Sequence, residues 1–338
     1  MKSKIKTGLR VAIFLAIGVF LFWLVYKDQK TDEIIDALKG ANYLWIAVSL
    51  LLALFSHLSR AMRWNLLINT LGYKPRFLNT FFSVMVMYLS NTAIPRSGEI
   101  ARCSILKRYE KVPIPQLLGT VVVERVFDFV MLFVFLFLVL LTQYGVIVEF
   151  VQNNPGIETK INSLLQVQYF VFMFVALVGL AVFTYFFRKK FKESVVYKKL
   201  RELLSSFISG IDTVRKMEKK WAFLAHSVFI WTMYFLMIYV TFWSFEFTKH
   251  LTVMTGLTVF VMASFGMVAP SPGGIGTWHF MVIETLIIYG IAKTPDANAF
   301  AFAVHGAMTL FLLVLGVISL VLLPIFNSKV KTTDEHTV

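Results

Sequence analysis

The chain reads Asn91-Thr92-Ala93-Ile94-Pro95-Arg96-Ser97-Gly98-Glu99-Ile100-Ala101-Arg102, and this stretch decides how its helices are organised. It interrupts an apolar run with a proline, a glycine and three charged residues. A second break occupies residues 268–276, where the helix-breaking residues are Pro270, Pro272, Gly273, Gly274 and Gly276. Laying Pro95 on Pro270 also brings Gly98 onto Gly273. The match predicts two equivalent helix breaks, provided that the surrounding helices repeat as well.

Composition places the chain in a membrane. Of its 338 residues, 58% are hydrophobic and 15% are charged, whereas a soluble domain has about 45–50% apolar and about 25% charged residues. We therefore expect an all-α polytopic membrane protein, forming one integral membrane domain over residues 1–338. Cys103 is the only cysteine, which excludes an intrachain disulfide. We expect no metal, no cofactor and no nucleic-acid partner.

Six apolar runs are close to the roughly 20 residues that span a bilayer. The predicted full spans are 9–26, 43–62, 117–142, 166–187, 221–245 and 298–323. Two further apolar regions, 77–113 and 252–291, contain the breaks. The first region is predicted to be a re-entrant hairpin, and the second either a re-entrant hairpin or two short spans.

The basic residues predict the orientation. Of the 33 Lys and Arg residues, 26 fall in the segments that the predicted spans place on one side of the membrane, and six fall in the segments on the other side. Cytoplasmic loops carry the excess of Lys and Arg, so both termini and the 188–220 linker are predicted to be cytoplasmic. The two halves, about 9–142 and 166–323, then contain the same elements in opposite orientation. Inverted repeats with discontinuous helices are a transporter design.

The 188–220 linker has apolar positions at helical spacing and basic residues on its other faces. One interpretation is an amphipathic helix that lies on anionic inner-leaflet lipids. The other is a helix that packs under the bundle with a solvated basic face.

Six charged residues are candidates for a substrate-binding network. Ionisable residues inside a span normally face the bundle interior and have partners. The candidates balance in charge and are Arg96, Arg102 and Arg125 against Glu99, Glu124 and Asp128. The alternative for the first break is an interfacial loop with ordinary ion pairs, and for the span it is a purely structural network.

Other polar residues are weaker candidates. His279, Glu284 and His305 could relay protons, although isolated helical histidines are more often packing residues. The group Ser56, His57, Ser59 and Arg60 ends the second predicted span and is expected to be interfacial. The sequence has no zinc-binding His-Glu-x-x-His motif, nucleophile elbow or P-loop.

Three ordered motifs resemble the flippase-like membrane family that includes the transmembrane region of lysylphosphatidylglycerol synthase. They are Asn91/Pro95/Gly98/Glu99/Arg102, Glu124-Arg125-Val126-Phe127-Asp128 and Pro272-Gly273-Gly274-Ile275-Gly276. The resemblance implies a protein of a prokaryotic cytoplasmic membrane that moves a phospholipid or lipid-linked molecule between leaflets. Many members of that family continue the third motif with an Arg-Glu pair, whereas Thr277-Trp278-His279 follows here and Glu284 is the nearest acidic residue.

We therefore expect a lipid transporter rather than an enzyme. The large soluble domain of the lysyl-transferring enzymes does not follow the last predicted span, so the resemblance does not imply aminoacyl transfer. The alternatives are a non-transporting scaffold that recruits a separate lipid-modifying enzyme through the linker, and an intramembrane transferase.

Overall fold

The computed structural model describes residues 31–94, 96–152, 213–269 and 271–335, together with Thr159 and Ile211. Outside these residues lie Pro95, Pro270, the predicted spans at 9–26 and 166–187, and most of the 188–220 linker. Within the described ranges every regular element is helical. The α-helices are, in chain order, α1 (Thr31–Lys39), α2 (Tyr43–Asn69), α3 (Phe77–Ala93), α4 (Gly98–Glu110), α5 (Ile114–Gln152), α6 (Lys220–Thr241), α7 (Val253–Val268), α8 (Thr277–Ile288) and α9 (Asn298–Glu335).

Four of the described segments are long and apolar enough to cross a membrane, namely Tyr43–Asn69, Ile114–Val146, Lys220–Ser244 and Lys293–Ser328. They confirm the predicted spans at 43–62, 117–142, 221–245 and 298–323. The main difference is that α2 continues to Asn69. It can do so because Arg60 and Arg63 are buried against carboxylates inside the bundle instead of reaching the membrane surface.

Each predicted break separates two short helices. In the first hairpin α3 has 17 residues and α4 has 13, and in the second α7 has 16 and α8 has 12. All four are shorter than the roughly 20 residues of a full span. Between α7 and α8 the chain forms a 3-10 turn at Pro272–Gly274.

A glycine allows the two arms of each hairpin to approach closely. A Cβ on Gly98, the first residue of α4, would lie 2.2 Å from the Met87 carbonyl oxygen of α3. A Cβ on Gly266 of α7 would lie 2.7 Å from the Cα of Trp278 on α8. Both distances are far inside van der Waals contact, so no larger residue fits without movement of the backbone.

The two breaks do not match residue by residue in the way that laying Pro95 on Pro270 predicts. Gly98 begins a helix, whereas Gly273 lies in the 3-10 turn before α8 and has φ of +57°. The second break is longer because it contains this extra turn, whose Gly274 and Gly276 also have positive φ. Proline and glycine mark both breaks correctly, but their spacing does not identify equivalent positions.

The hairpins pack across the bundle. Helices α2 and α6 pack against each other. The first hairpin packs through α3 on α2 and α9, and through α4 on α5. The second packs through α7 on α6 and α5, and through α8 on α9. The two breaks meet, because the Pro272–Gly274 turn packs on α3 and a Cβ on Gly273 would lie 3.6 Å from Cγ2 of Thr92.

The described end of the linker contacts the bundle. Val214 and Met217 are buried with Leu67 of α2 and Phe223 of α6. This contact agrees with the interpretation of a helix packed under the bundle for this end alone.

Candidate functional site

Two carboxylates on α5 form the centre of the site. Glu124 is fully buried and Asp128, one turn later, is 8% exposed. Residues four apart lie on the same face of a helix, so both carboxylates point towards α2 and α4. A buried carboxylate needs paired charges and hydrogen bonds to offset its loss of hydration, and the surrounding helices supply them as arginines.

Helix α2 supplies two of these arginines. Arg63 Nη2 lies 2.7 Å from Asp128 Oδ1 and 3.6 Å from Glu124 Oε1, and Arg60 Nη1 lies 3.3 Å from Asp128 Oδ2. The same side chains reach α6, where Arg63 Nη1 donates to Ser227 Oγ at 3.1 Å and Arg60 Nη2 donates to the Tyr234 hydroxyl at 3.1 Å. The two arginines therefore connect three helices at one level of the bundle.

The first hairpin supplies the third arginine. Arg102 of α4 is fully buried, and its Nη2 lies 2.7 Å from Glu124 Oε2. Its guanidinium carbon lies 4.2 Å from the ring centroid of Trp64, a geometry that favours cation–π attraction. Trp64 is held in turn by a hydrogen bond from its Nε1 to Thr120 Oγ1 at 2.8 Å.

A more exposed pair forms the edge of the network. Arg125 Nη2 lies 2.7 Å from Glu99 Oε1, and its Nη1 lies 3.6 Å from Asp128 Oδ2. The Arg125 side chain is 47% exposed. The Asn91 side chain places Glu99 at this edge, because its Oδ1 accepts the Gly98 backbone N–H at 2.8 Å and so caps the start of α4.

Arg96 lies outside the ion pairs that the described residues form, and its predicted role in substrate binding stays a prediction. Its side chain is exposed and forms no ion pair with any residue that the structure describes. The reason is local, since Arg96 occupies the tight turn between α3 and α4 with a left-handed φ of +64°. The other five predicted residues are brought together.

Arg60 and Arg63 were missed by the sequence analysis. Ser56, His57, Ser59 and Arg60 were expected at the interface, but all four are buried. The signal was present, because polar residues recur at positions 56, 59, 60 and 63 with the spacing of one helix face. A polar stripe of this kind on an apolar helix indicates an interior face.

The charges of the observed network do not balance. Its buried part holds three arginines against two carboxylates, since Arg60, Arg63 and Arg102 face Glu124 and Asp128. The Arg125–Glu99 pair at the edge is neutral in sum. Several N–H groups of the buried arginines have no hydrogen-bond acceptor among the described residues; they are Nε of Arg60, Nε of Arg63, and Nε and Nη1 of Arg102. Both carboxylate oxygens of Glu124 also lack a geometrically good hydrogen bond, so among the described residues the excess is one of positive charge, with more unsatisfied donors than acceptors.

Two histidines hold the second break. His305 Nε2 lies 3.0 Å from the Gly273 carbonyl oxygen, and His279 Nδ1 accepts the Gly276 backbone N–H at 3.3 Å. Their ring centroids are 4.6 Å apart. Glu284 instead forms an ion pair with Lys293 at 3.3 Å. The proton relay among these three residues stays a prediction. No cluster of His, Cys, Asp and Glu in the described part of the chain could hold a metal ion.

This arrangement defines a class, a multi-pass helical membrane protein with a charged network in its interior. Residues 10–316 match the family described as the lysylphosphatidylglycerol synthase TM region. The chain belongs to this family, as the three motifs had indicated. The structure brings the first two motifs together, because Glu99 and Arg102 of the first pair with Arg125 and Glu124 of the second.

Archaeal proteins are among the relatives of the chain. It is 24% identical to a UPF0104 membrane protein of Methanothermobacter thermautotrophicus over 340 aligned residues, covering 95% of this chain and 96% of the relative. It is 30% identical to a UPF0104 membrane protein of Methanocaldococcus jannaschii over 131 residues, or 38% of each chain. No solved structure matches the chain.

Proposed function

We propose that this protein moves an anionic phospholipid or lipid-linked molecule between the leaflets of a prokaryotic cytoplasmic membrane. The headgroup would bind at the arginine network. One observation carries this proposal: among the residues that the structure describes, the network holds one more buried arginine than buried carboxylates. An uncompensated charge in a protein interior costs several kcal/mol, and the anionic group of a substrate would supply the missing partner.

The free donors of the network support the same substrate class. Arginine guanidinium groups match the geometry of phosphate oxygens, and Arg60, Arg63 and Arg102 keep buried N–H groups without an acceptor in the described part of the chain. The more exposed Arg125–Glu99 pair lies at the side from which a headgroup could enter. The family description points to lipid chemistry as well.

The proposal includes an inverted repeat, with α2–α5 and α6–α9 as its described halves and both termini cytoplasmic. The helix contacts support it, because each hairpin packs on the long last helix of the other half. In transporters built this way, substrate binds where the breaks of the two repeats meet. Here Thr92 and Gly273 approach each other at the breaks, and Glu99 and Arg102 lie directly after the first break.

We propose transport rather than catalysis. Glu124 and Asp128 are each engaged by two or more arginines, an arrangement that favours stable carboxylates over groups that exchange protons. Binding and release of a headgroup require only that the ion pairs rearrange.

Leaflet exchange in proteoliposomes tests the proposal. The purified protein should accelerate the crossing of fluorescent phosphatidylglycerol more than that of phosphatidylcholine. Arg102→Gln should abolish the acceleration because it removes the excess charge. Arg102→Gln combined with Glu124→Gln restores the excess and should recover part of the rate. Arg108→Gln, on an exposed position of the same helix, is the matched control and should leave the rate unchanged.

Two results would contradict separate parts of the proposal. If no anionic, zwitterionic or sugar-linked lipid crosses faster than in protein-free vesicles, the protein is not a lipid transporter. If phosphatidylglycerol and phosphatidylcholine are accelerated equally, and the double variant behaves like the single one, the buried charge does not select the substrate.

A further inference from the structure

Four polar side chains tie the base of the first hairpin to the end of α9. Arg76 precedes α3, Asn79 lies in its first turn, Glu110 ends α4 and Asn327 lies on α9. The amides of Asn79 and Asn327 bond each other in both directions, at 3.0 and 2.9 Å. Arg76 Nη2 donates to Asn327 Oδ1 at 2.6 Å and Arg76 Nε to Glu110 Oε1 at 3.3 Å, while Asn79 also donates to Glu110. We name this cluster the Asn327 clamp.

A second cluster ties the base of the second hairpin to α5. The Tyr289 hydroxyl, at the end of α8, lies 2.9 Å from Gln143 Oε1 on α5 and 3.0 Å from Thr258 Oγ1 on α7. Thr258 is almost fully buried and Gln143 is half-buried. We name these three residues the Gln143 clamp.

The two clamps occupy equivalent places in the two halves. Glu110 and Tyr289 lie the same number of residues after the first residues of α4 and α8, and Asn79 and Thr258 both lie within the first six residues of α3 and α7. Asn327 and Gln143 likewise lie the same number of residues after the first residues of α9 and α5. Each clamp thus joins both arms of one hairpin to the long helix of the other half.

The clamps lie at opposite ends of the bundle, with the arginine network between them. Glu110 lies four residues before Ile114, the first residue of α5. Gln143 lies roughly 40 Å from Ile114 along the same helix, at about 1.5 Å per residue. Glu124 and Asp128 fall between these points on the same helix. In the predicted orientation the Asn327 clamp is cytoplasmic and the Gln143 clamp is external.

Both long helices are interrupted at their clamps. Gln143 itself has non-helical dihedrals, with φ of −135° and ψ of 28°. Pro324 lies inside α9 three residues before Asn327, and proline removes one backbone hydrogen bond from a helix. Interruptions of this kind are where helices bend, so each long helix could swing its end away from the hairpin that it contacts.

We propose that the Asn327 and Gln143 clamps are the two gates of the site and that they open in alternation. The role of the gates rests on the proposed transport function, whereas the contacts that form the two clamps do not depend on it. Opening either clamp would separate a hairpin base from a long helix and admit water and a headgroup from that end alone. The Asn327 clamp contains more bonds, including the charged Arg76–Glu110 pair, and is therefore the gate that opens less readily.

Cysteine accessibility tests the gates without requiring transport. Cys103 is the only cysteine and is fully buried, so the background is Cys103→Ala, with Thr92→Cys as the reporter at the meeting of the breaks. An impermeant maleimide is applied to either side of oriented vesicles. Asn79→Leu combined with Asn327→Leu should raise labelling from the cytoplasmic side and lower it from the outside. Tyr289→Phe should do the reverse.

Tyr43→Phe is the matched control, because it also removes one hydroxyl hydrogen bond, from the exposed Tyr43 to the Leu38 carbonyl oxygen. It should not change the labelling from either side. A further variant, Asn79→Cys with Asn327→Cys, places two thiols at adjacent side chains. Labelling is read at position 92 by tandem mass spectrometry, because the reduced thiols at positions 79 and 327 also react with maleimide. Oxidation should lock that gate and abolish labelling of Thr92→Cys from the cytoplasm, and reduction should restore it.

The gates are refuted if the two clamp variants change labelling in the same direction, if neither changes it, or if the oxidised variant still labels from the cytoplasm. Failure of the transport proposal would look different. In that case the labelling would alternate as described, while no lipid would cross faster in the same vesicles.

Discussion

The two hairpins have similar architecture but different chemistry. Both are pairs of short helices closed by a glycine, yet the first carries Glu99 and Arg102 into the ion-pair network. The second is held by neutral contacts, in which His279 and His305 bond backbone groups of the break. The glycines also lie on different arms, Gly98 on the second arm and Gly266 on the first.

The difference in chemistry indicates that the two hairpins have different roles despite their similar architecture. The first hairpin is fixed by buried charges and is positioned to contact an anionic ligand. The second hairpin sets the backbone of its own break and packs it against Thr92 of the first. If this division is correct, the two hairpins should respond differently to the loss of charge and similarly to the loss of close packing.

Removing a charge from the first hairpin should have the largest effect. Arg102→Ala removes the 2.7 Å partner of Glu124 and the contact with Trp64, and leaves Glu124 only the 3.6 Å contact to Arg63. Removing one partner of a buried ion pair costs about 3–5 kcal/mol of unfolding free energy. In the second hairpin, Glu284→Gln breaks a pair whose Lys293 side chain is 58% exposed, so the cost should be below about 1 kcal/mol. Steric trapping in detergent or bicelles measures both values.

Equal losses for these two variants would contradict the division between a charged and a neutral hairpin. Arg102→Ala combined with Glu124→Ala provides the check on mechanism. The double variant should be more stable than Arg102→Ala alone, because it also removes the buried carboxylate that would otherwise keep only its 3.6 Å contact to Arg63.

The next effect concerns close packing and should be shared. A Cβ on Gly98 would meet the Met87 carbonyl oxygen, and a Cβ on Gly266 would meet backbone atoms of Trp278 and the Thr277 carbonyl oxygen. Gly98→Ala and Gly266→Ala should each lower the unfolding free energy by about 1–3 kcal/mol or more, with Gly98→Ala the worse of the two. Gly119→Ala is the control, because a Cβ at that position of α5 meets no atom within 4 Å.

If Gly266→Ala is as stable as the wild type while Gly98→Ala is destabilised, only the first hairpin depends on the close approach of its arms. A similar loss in Gly119→Ala would mean that the measurement reports a general sensitivity to substitution. Thermal midpoints in detergent rank the three variants before unfolding free energies are measured.

The sequence was sufficient to predict the features of the fold and the site that depend on local residue patterns. Apolar length predicted the four described spans, and proline with glycine predicted both breaks. Glu124 and Asp128 could be recognised as interior residues because ionisable groups in a span need partners, and the charged residues after the first break were natural partners for them.

What the sequence did not provide depends on contacts between distant segments. Arg60 and Arg63 near the end of an apolar run resemble residues that reach the membrane surface, and only the packing of α2 on α5 and α6 makes them interior. The charge excess followed from the same packing, because it exchanges Arg96 for two other arginines. The register of the breaks failed because one extra 3-10 turn shifts every position after it.

The smallest effect isolates Arg96, which the sequence placed in the site and the structure places outside the ion pairs. Its φ of +64° costs about 1–2 kcal/mol for a residue with a Cβ, while glycine adds about 0.4–1 kcal/mol of entropy cost through the unfolded chain. Arg96→Gly should therefore raise the unfolding free energy by about 0.5 kcal/mol. Lys111→Gly, at the other non-glycine residue with positive φ among the described residues, is the matched control and should give a similar gain.

Transport then separates the two views of Arg96. If its exposed charge meets the headgroup before the buried network does, Arg96→Gly should slow phosphatidylglycerol exchange although the protein is more stable, and Arg96→Lys should retain the rate. If exchange is unchanged in Arg96→Gly, Arg96 is only a turn residue, and the charged chemistry of the first hairpin is confined to Glu99 and Arg102. Lys111→Gly should leave exchange unchanged in either case, because Lys111 lies after α4, at the end away from the break.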